Sequence, residues 1–302
     1  MLLSDVPGLL ADPKDRASLM STHRLSEVED LIARGVIGRG MMPKLSGALN
    51  ALKVFDAAGV QVDFPVCVGL DMPLSGWPPG DKPDAREIHG DLGLGPNDYD
   101  DLGPDPARLS AIGAVDLILE TYREPSDVTL LVTGPLTNVA EALRREPNIA
   151  GNIPRIVFMG GAFRVPGNIA PYGEFNVWMD PVAAAEVFAS PIPMTVIGLD
   201  VALQCPLTLV DIEVSLRPDE WQWGKFVRDI TSHYMGFYRD KEGFNGCYMH
   251  DPRAMAVASW PELVWTKPYN VQVITDSQSP VRGMTVIDHR ARGDCEAGPR
   301  KD

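Results

Sequence analysis

In RIVFMGGAFRVPGNIAPYGEFNVWMD, residues Arg155–Asp180, a continuous apolar run, Ile156-Val157-Phe158-Met159, breaks into the paired glycines Gly160-Gly161. An unbroken apolar run of this length suits a strand buried on both faces. The glycines then deliver the chain to the edge of a sheet. In open α/β sheets the carboxyl edge of the strands is where ligands bind. The residues that follow include Asn168, Glu174 and Asn176, which form directional hydrogen bonds, with Met159, Phe175 and Trp178 as apolar neighbours. Amide, carboxylate and amide set against apolar walls suit a small polyhydroxylated ligand such as a sugar. Composition alone also fits an ordinary Gly/Pro/Asn loop between a strand and a helix.

Working outward, the same pattern repeats. Val128 to Val132 reads as a strand running into Thr133-Gly134-Pro135, and Thr137 is placed to cap a helix over roughly 138–146. Asp180-Pro181 starts a helix running to about Ala189, with proline in the first turn. Pro193 to Leu199 is again strand-like. Upstream, Pro65 to Leu70 reads as a short buried strand, and residues 106–122 carry helical apolar spacing. Further helices are expected over 26–34, 46–59, 217–240 and 252–259, with strand-like pieces at 269–274 and 284–288. Short apolar strands alternating with helices predict a three-layer α/β fold with a mainly parallel sheet.

The chain has 302 residues, 45% of them hydrophobic, enough for one large α/β domain or two modest ones. A formal net charge of −14 argues against nucleic acid and anionic membranes as partners. The four cysteines, Cys67, Cys205, Cys247 and Cys295, show no CxxC spacing and read as reduced thiols of a cytoplasmic protein. No signal-peptide pattern opens the chain, and no run approaches the roughly 18 apolar residues of a spanning helix.

Three polar clusters fall at expected strand ends or helix starts. These are His89 in IHGDLGLG, the Glu174/Asn176 loop, and His250-Asp251 ahead of a helix. Each has a plain structural reading as well: a lone histidine is usually a surface or core residue, and Asp commonly caps helices. Their conjunction with Thr133-Gly134-Pro135-Leu136-Thr137-Asn138 points to a site. Trp221, Trp223, Tyr234 and Tyr238 suit base stacking, or equally the core face of an amphipathic helix.

IHGDLGLG, VTGPLTNVAEAL, RIVFMGGAF, GNIAPYGEFNVWMDPVAAAEVF, IGLDVALQCPLT and HDPRAMAVA, in that order, resemble the inosine/uridine-preferring nucleoside hydrolases over about residues 48–295. The resemblance implies hydrolysis of ribonucleosides to ribose and free base, through an oxocarbenium-like transition state. It implies a role in purine and pyrimidine salvage and a homodimer or homotetramer. It also implies a calcium ion holding the ribose hydroxyls and the attacking water. Carried over by motif, Asp251 is implied as a calcium ligand and Thr133 as a backbone-carbonyl ligand. Met159, Asn168, Glu174 and Asn176 are implied on the ribose, and His89 near its 5′ end. His250 is implied as the proton donor to the leaving base, a role suited to imidazole near neutral pH.

The family's opening motif, Asp-x-Asp-Pro-Gly-x-Asp-Asp on its first strand, has no counterpart in residues 1–47. That motif supplies the remaining calcium carboxylates and the general base. Instead, DVPGLLADPKD and STHRLSEVEDLIARGVIGRGMMPKL, within about residues 5–45, resemble the C-terminal part of an acetylglutamate kinase, with Lys44 matching a lysine near the nucleotide phosphates. The expected organisation is a kinase-like appendage over 1–45 and a hydrolase-like domain over 46–302 lacking the family's first strand. The acidic residues Asp98, Asp100, Asp101 and Asp105 read as a solvated loop. Poor calcium affinity and a rate lowered by orders of magnitude follow. The alternatives are a non-catalytic nucleoside- or ribose-binding protein, an inert fusion, or an amino-acid kinase-related module.

Overall fold

The computed structural model describes residues 2–3, 64–78, 86–90, 110–218 and 222–288. At its centre lies a four-stranded parallel sheet. Its strands are β1 (Leu2–Leu3), β2 (Leu130–Val132), β3 (Ile156–Met159) and β4 (Met194–Ile197), in that spatial order. Leu130 lies opposite Ile156, and Ile156 opposite Met194, so the carboxyl ends of β2, β3 and β4 reach one edge together.

The apolar runs divide between two cores by the period of two that a strand imposes. Leu130, Val132, Ile156 and Phe158 enter one core, with α1 (Ala114–Tyr122), α2 (Thr137–Arg145) and α4 (Pro181–Ala189). Leu131, Val157 and Met159 enter the other, against Ala254 and Val257 of α6 (His250–Ser259). The sheet is therefore the middle of three layers, as expected. A one-turn helix, α3 (Phe175–Met179), sits between β3 and α4. A long helix, α5 (Gln222–Glu242), precedes α6. A hairpin of β5 (Gln272–Val273) and β6 (Thr285–Val286) follows α6.

Several elements differ from expectation for identifiable reasons. The helix expected from 106 begins at Ala114, because Ser110 N and Ala114 N donate to Val66 O and Val68 O, each at 2.8 Å. Those bonds also occupy Pro65–Leu70, which contributes a single bridge residue, Val66, instead of a strand. Leu136, not Thr137, precedes α2, because the Thr137 hydroxyl donates to Asp180 Oδ2 at 2.7 Å. The helix expected from 252 starts two residues earlier and takes His250 and Asp251 into its first turn. The segment around Glu174 and Asn176, expected as a loop, enters helix α3 because the Glu174 side chain accepts from the Asn176 and Val177 amides. Residues 1–45 are expected as an appendage and the first strand as missing, yet Leu2–Leu3 pairs in parallel with Leu131–Val132. The helices expected over 26–34 and 46–59, Lys44 and the acidic loop at 98–105 lie outside the described residues.

Candidate active site

The strand edge beyond Met159 is built by hydrogen bonds that converge on one carboxylate. Gly161 turns the chain with φ +85°, a conformation that favours glycine, and its N–H donates to Glu174 Oε2 at 2.9 Å. Glu174 caps α3, accepting from Asn176 N at 3.0 Å and Val177 N at 3.2 Å. The residue is 1% exposed. Burial pushes its carboxyl up to about 7 against the pull of these three N–H donors, and the charge of Asp251 adds to the rise.

Asn176 lies one position inside α3 and points back to the sheet. Its amide donates to Met159 O at 2.9 Å and to Thr133 O at 3.4 Å, tying the ends of β2 and β3 together. Met159 is buried there, with Sδ 3.5 Å from the same amide. Asn168 is exposed and accepts from Phe175 N at 2.9 Å, which holds the loop over the start of α3. Thr133, Met159, Asn168, Glu174 and Asn176 thus form one connected group.

His250 and His89 belong to a second group. Tyr238 OH is 3.2 Å from His250 Nε2 and 3.2 Å from Tyr234 OH. The Tyr234 ring lies 5.7 Å from that of His89. The two tyrosines are four residues apart on α5, so both lie on one face of that helix. Burial raises both phenols, and at Tyr234 the charge of Asp251 adds to the effect. Asp251, exposed in the first turn of α6, acts electrostatically on both Glu174 and Tyr234, so it links the two groups. Burial, then the charges of Arg253 and His89, push His250 down to about 4. The ring is therefore neutral near pH 7. His250 Nδ1 is buried with no hydrogen-bond partner among the described residues.

Two buried charged residues were not expected. Asp180 accepts from Thr137 Oγ1, Leu74 N, Ser75 N and Ala183 N. Its role as a helix start was legible in Asp-Pro, but its long-range partners were not. Arg282 donates from Nε to Trp178 O at 3.1 Å and from Nη2 to Met179 O at 3.3 Å. Nothing in the polar C-terminal stretch marked it.

Residues 24–301 match the inosine-uridine preferring nucleoside hydrolase family. The chain belongs to that family. It is 33% identical over 293 residues to an inosine-uridine preferring nucleoside hydrolase of Leishmania major, covering 96% of this chain and 88% of the relative. A pyrimidine-specific ribonucleoside hydrolase of Shewanella woodyi is 38% identical over 243 residues, covering 79% of this chain and 74% of the relative. Among solved structures, a purine-preferring ribonucleoside hydrolase from Gardnerella vaginalis superposes with a TM-score of 0.68 at 37% identity, covering 80% and 75% of the two chains. The family match begins at residue 24, within the segment 1–45 expected from sequence to be a kinase-like appendage.

Calcium is the metal the family resemblance implies. Calcium takes six to eight oxygens, several from carboxylates. Of the implied ligands this chain offers Asp251 and the Thr133 carbonyl, and that carbonyl accepts the Asn176 amide. Among the described residues no three His, Cys, Asp or Glu side chains come together to hold a metal ion. This donor set does not fit calcium.

Proposed function

We propose that this nucleoside hydrolase family member binds ribonucleosides at the Glu174–Asn176 edge and cleaves their N-glycosidic bond slowly. The observation that carries the reading is the buried Glu174 carboxylate, linked through its own helix to Asn176 and Met159 at the strand ends. Carboxylate and carboxamide groups there suit the ribose hydroxyls, and Glu174 offsets positive charge developing on the ring. Met159 lies against the sugar, Asn168 closes the loop side, and His89 sits at the 5′ end. His250, protonated from solvent, passes that proton to the departing base, and Tyr238 OH, 3.2 Å from its Nε2, orients the ring.

The reduced rate follows from the absent aspartate motif, which leaves Asp251 as the one family-matched calcium carboxylate and no general base. In this reading residues 1–45 derive from an acetylglutamate kinase and carry no kinase chemistry. The protein is cytoplasmic and assembles as a homodimer or homotetramer. No helix among the described residues is long and apolar enough to cross a membrane.

Inosine and uridine titrations by calorimetry, with hydrolysis assays on wild type and Asp251→Ala, test the reading. Nucleoside binding with weak turnover is expected. A folded sample that neither binds nor cleaves either nucleoside would overturn it. Full turnover abolished by a chelator would overturn the reduced rate. The second reading, a non-catalytic ribose- or nucleoside-binding protein, is favoured by the Thr133 carbonyl facing an amide, and binding without any turnover would establish it. A kinase-related module would reveal itself by ATP binding lost in Lys44→Ala, and none is expected.

A further inference from the structure

The helix that carries Asn176 has five residues, Phe175–Met179, too short to hold itself together in water. Its place is set by what grips its ends. At the amino end Glu174 takes two of its amides and the Gly161 amide. At the carboxyl end the carbonyls of Trp178 and Met179 meet the Arg282 guanidinium, as helix termini favour. Arg282 is 3% exposed, and its Nη2 also donates to Ser75 Oγ at 2.9 Å. Ser75 N in turn donates to Asp180, the residue that follows the helix.

The rest of the hairpin turn reinforces the grip. Thr285 Oγ1 donates to Ala162 O at 2.8 Å and accepts from Ala162 N at 3.1 Å, beside the Gly161 turn. Met284 bridges to Gly173. Gly283 has φ +71°, and a Cβ there would lie 2.5 Å from Trp178 Cα. Residues 282–285 thus hold both the loop entering the sugar edge and the helix leaving it.

We propose that Arg282 is a positioning residue for the sugar-holding side chains. By fixing the carboxyl end of the one-turn helix, it sets where Glu174 and Asn176 stand. The sugar-holding role is that of the proposed function; the mechanical role stands apart from it.

The test uses the full chain and three variants: Arg282→Ala, Arg282→Lys, and Val273→Ala, which trims the same hairpin where it meets the core. Amide hydrogen exchange and inosine affinity are read for each. Arg282→Ala is expected to speed exchange at Gly161, Asn176 and Val177 at least tenfold, with Val157 and Phe158 unchanged, and to weaken inosine binding at least tenfold. Arg282→Lys restores part of both, and it carries the test if the alanine variant does not fold. Val273→Ala lowers the melting temperature without either local effect. Uniform acceleration across the molecule, or unchanged exchange at 176–177, would overturn the proposal. Absence of inosine binding in wild type would sink the proposed function, while the exchange data would still decide the role of Arg282.

Discussion

Glu174 carries two competing influences that pH can separate. Burial disfavours its charge, while three N–H donors favour it. Its folded pKa, raised to about 7 from 4.5, makes the folded state hold its proton more tightly than the unfolded state. The stabilising contribution is present below about pH 4.5 and is lost as pH rises through about 7. Urea titrations at pH 5 and 8 should show wild type losing roughly 2–3 kcal/mol more than Glu174→Gln across that interval. His250 titrates in both proteins, so the difference isolates the carboxyl. An equal loss in both would show that the donors, not burial, set the ionisation. Asn176→Ala leaves the Met159 carbonyl without its side-chain donor and should cost about 1–3 kcal/mol of stability by urea unfolding. Nucleoside affinity should fall at least tenfold with it, as measured by calorimetry. At this scale the sequence was informative where a residue acts beside its own strand or helix. Glu174 and Asn176 follow the glycine break that ends the strand of Met159, and the structure brings the three together as that order suggests. Arg282 and the Tyr234–Tyr238 chain were not, because their partners lie on distant segments.

Among the elements, the strands were the most legible, since continuous apolar runs have few other uses. β3 coincides with its apolar run, and β2 begins two residues later than expected. Helix starts were less so. Ser110–Ala114 and Thr137 gave their polar groups to partners 44 or more residues away in one case and 43 in the other, which no local pattern announces. β1 is the element with the sharpest test. Its main-chain bonds to β2 are those that a truncation of residues 1–10 would remove. The truncated chain should melt roughly 2–8 °C lower and exchange faster at Leu131 and Val132. Unchanged melting would show that the sheet works without β1.

For the whole molecule, the separation of fold from metal chemistry makes a direct prediction. The described residues assemble two packed cores on a parallel sheet, but they do not assemble a calcium site. Thermal unfolding should therefore be the same in millimolar calcium and in chelator. A rise in the melting temperature with calcium would mean that further residues complete a site, because a ligand that binds only the folded state stabilises it. The three-layer class was legible because strand and helix periods alternate along most of the chain.

The pairing of β1 with β2 joins the two strands through main-chain groups, which nearly every residue type carries. The side chains at Leu2 and Leu3 can therefore change while the ladder beside β2 persists. Among the described residues the sheet is thus more tolerant of an altered sequence at that strand than of its loss.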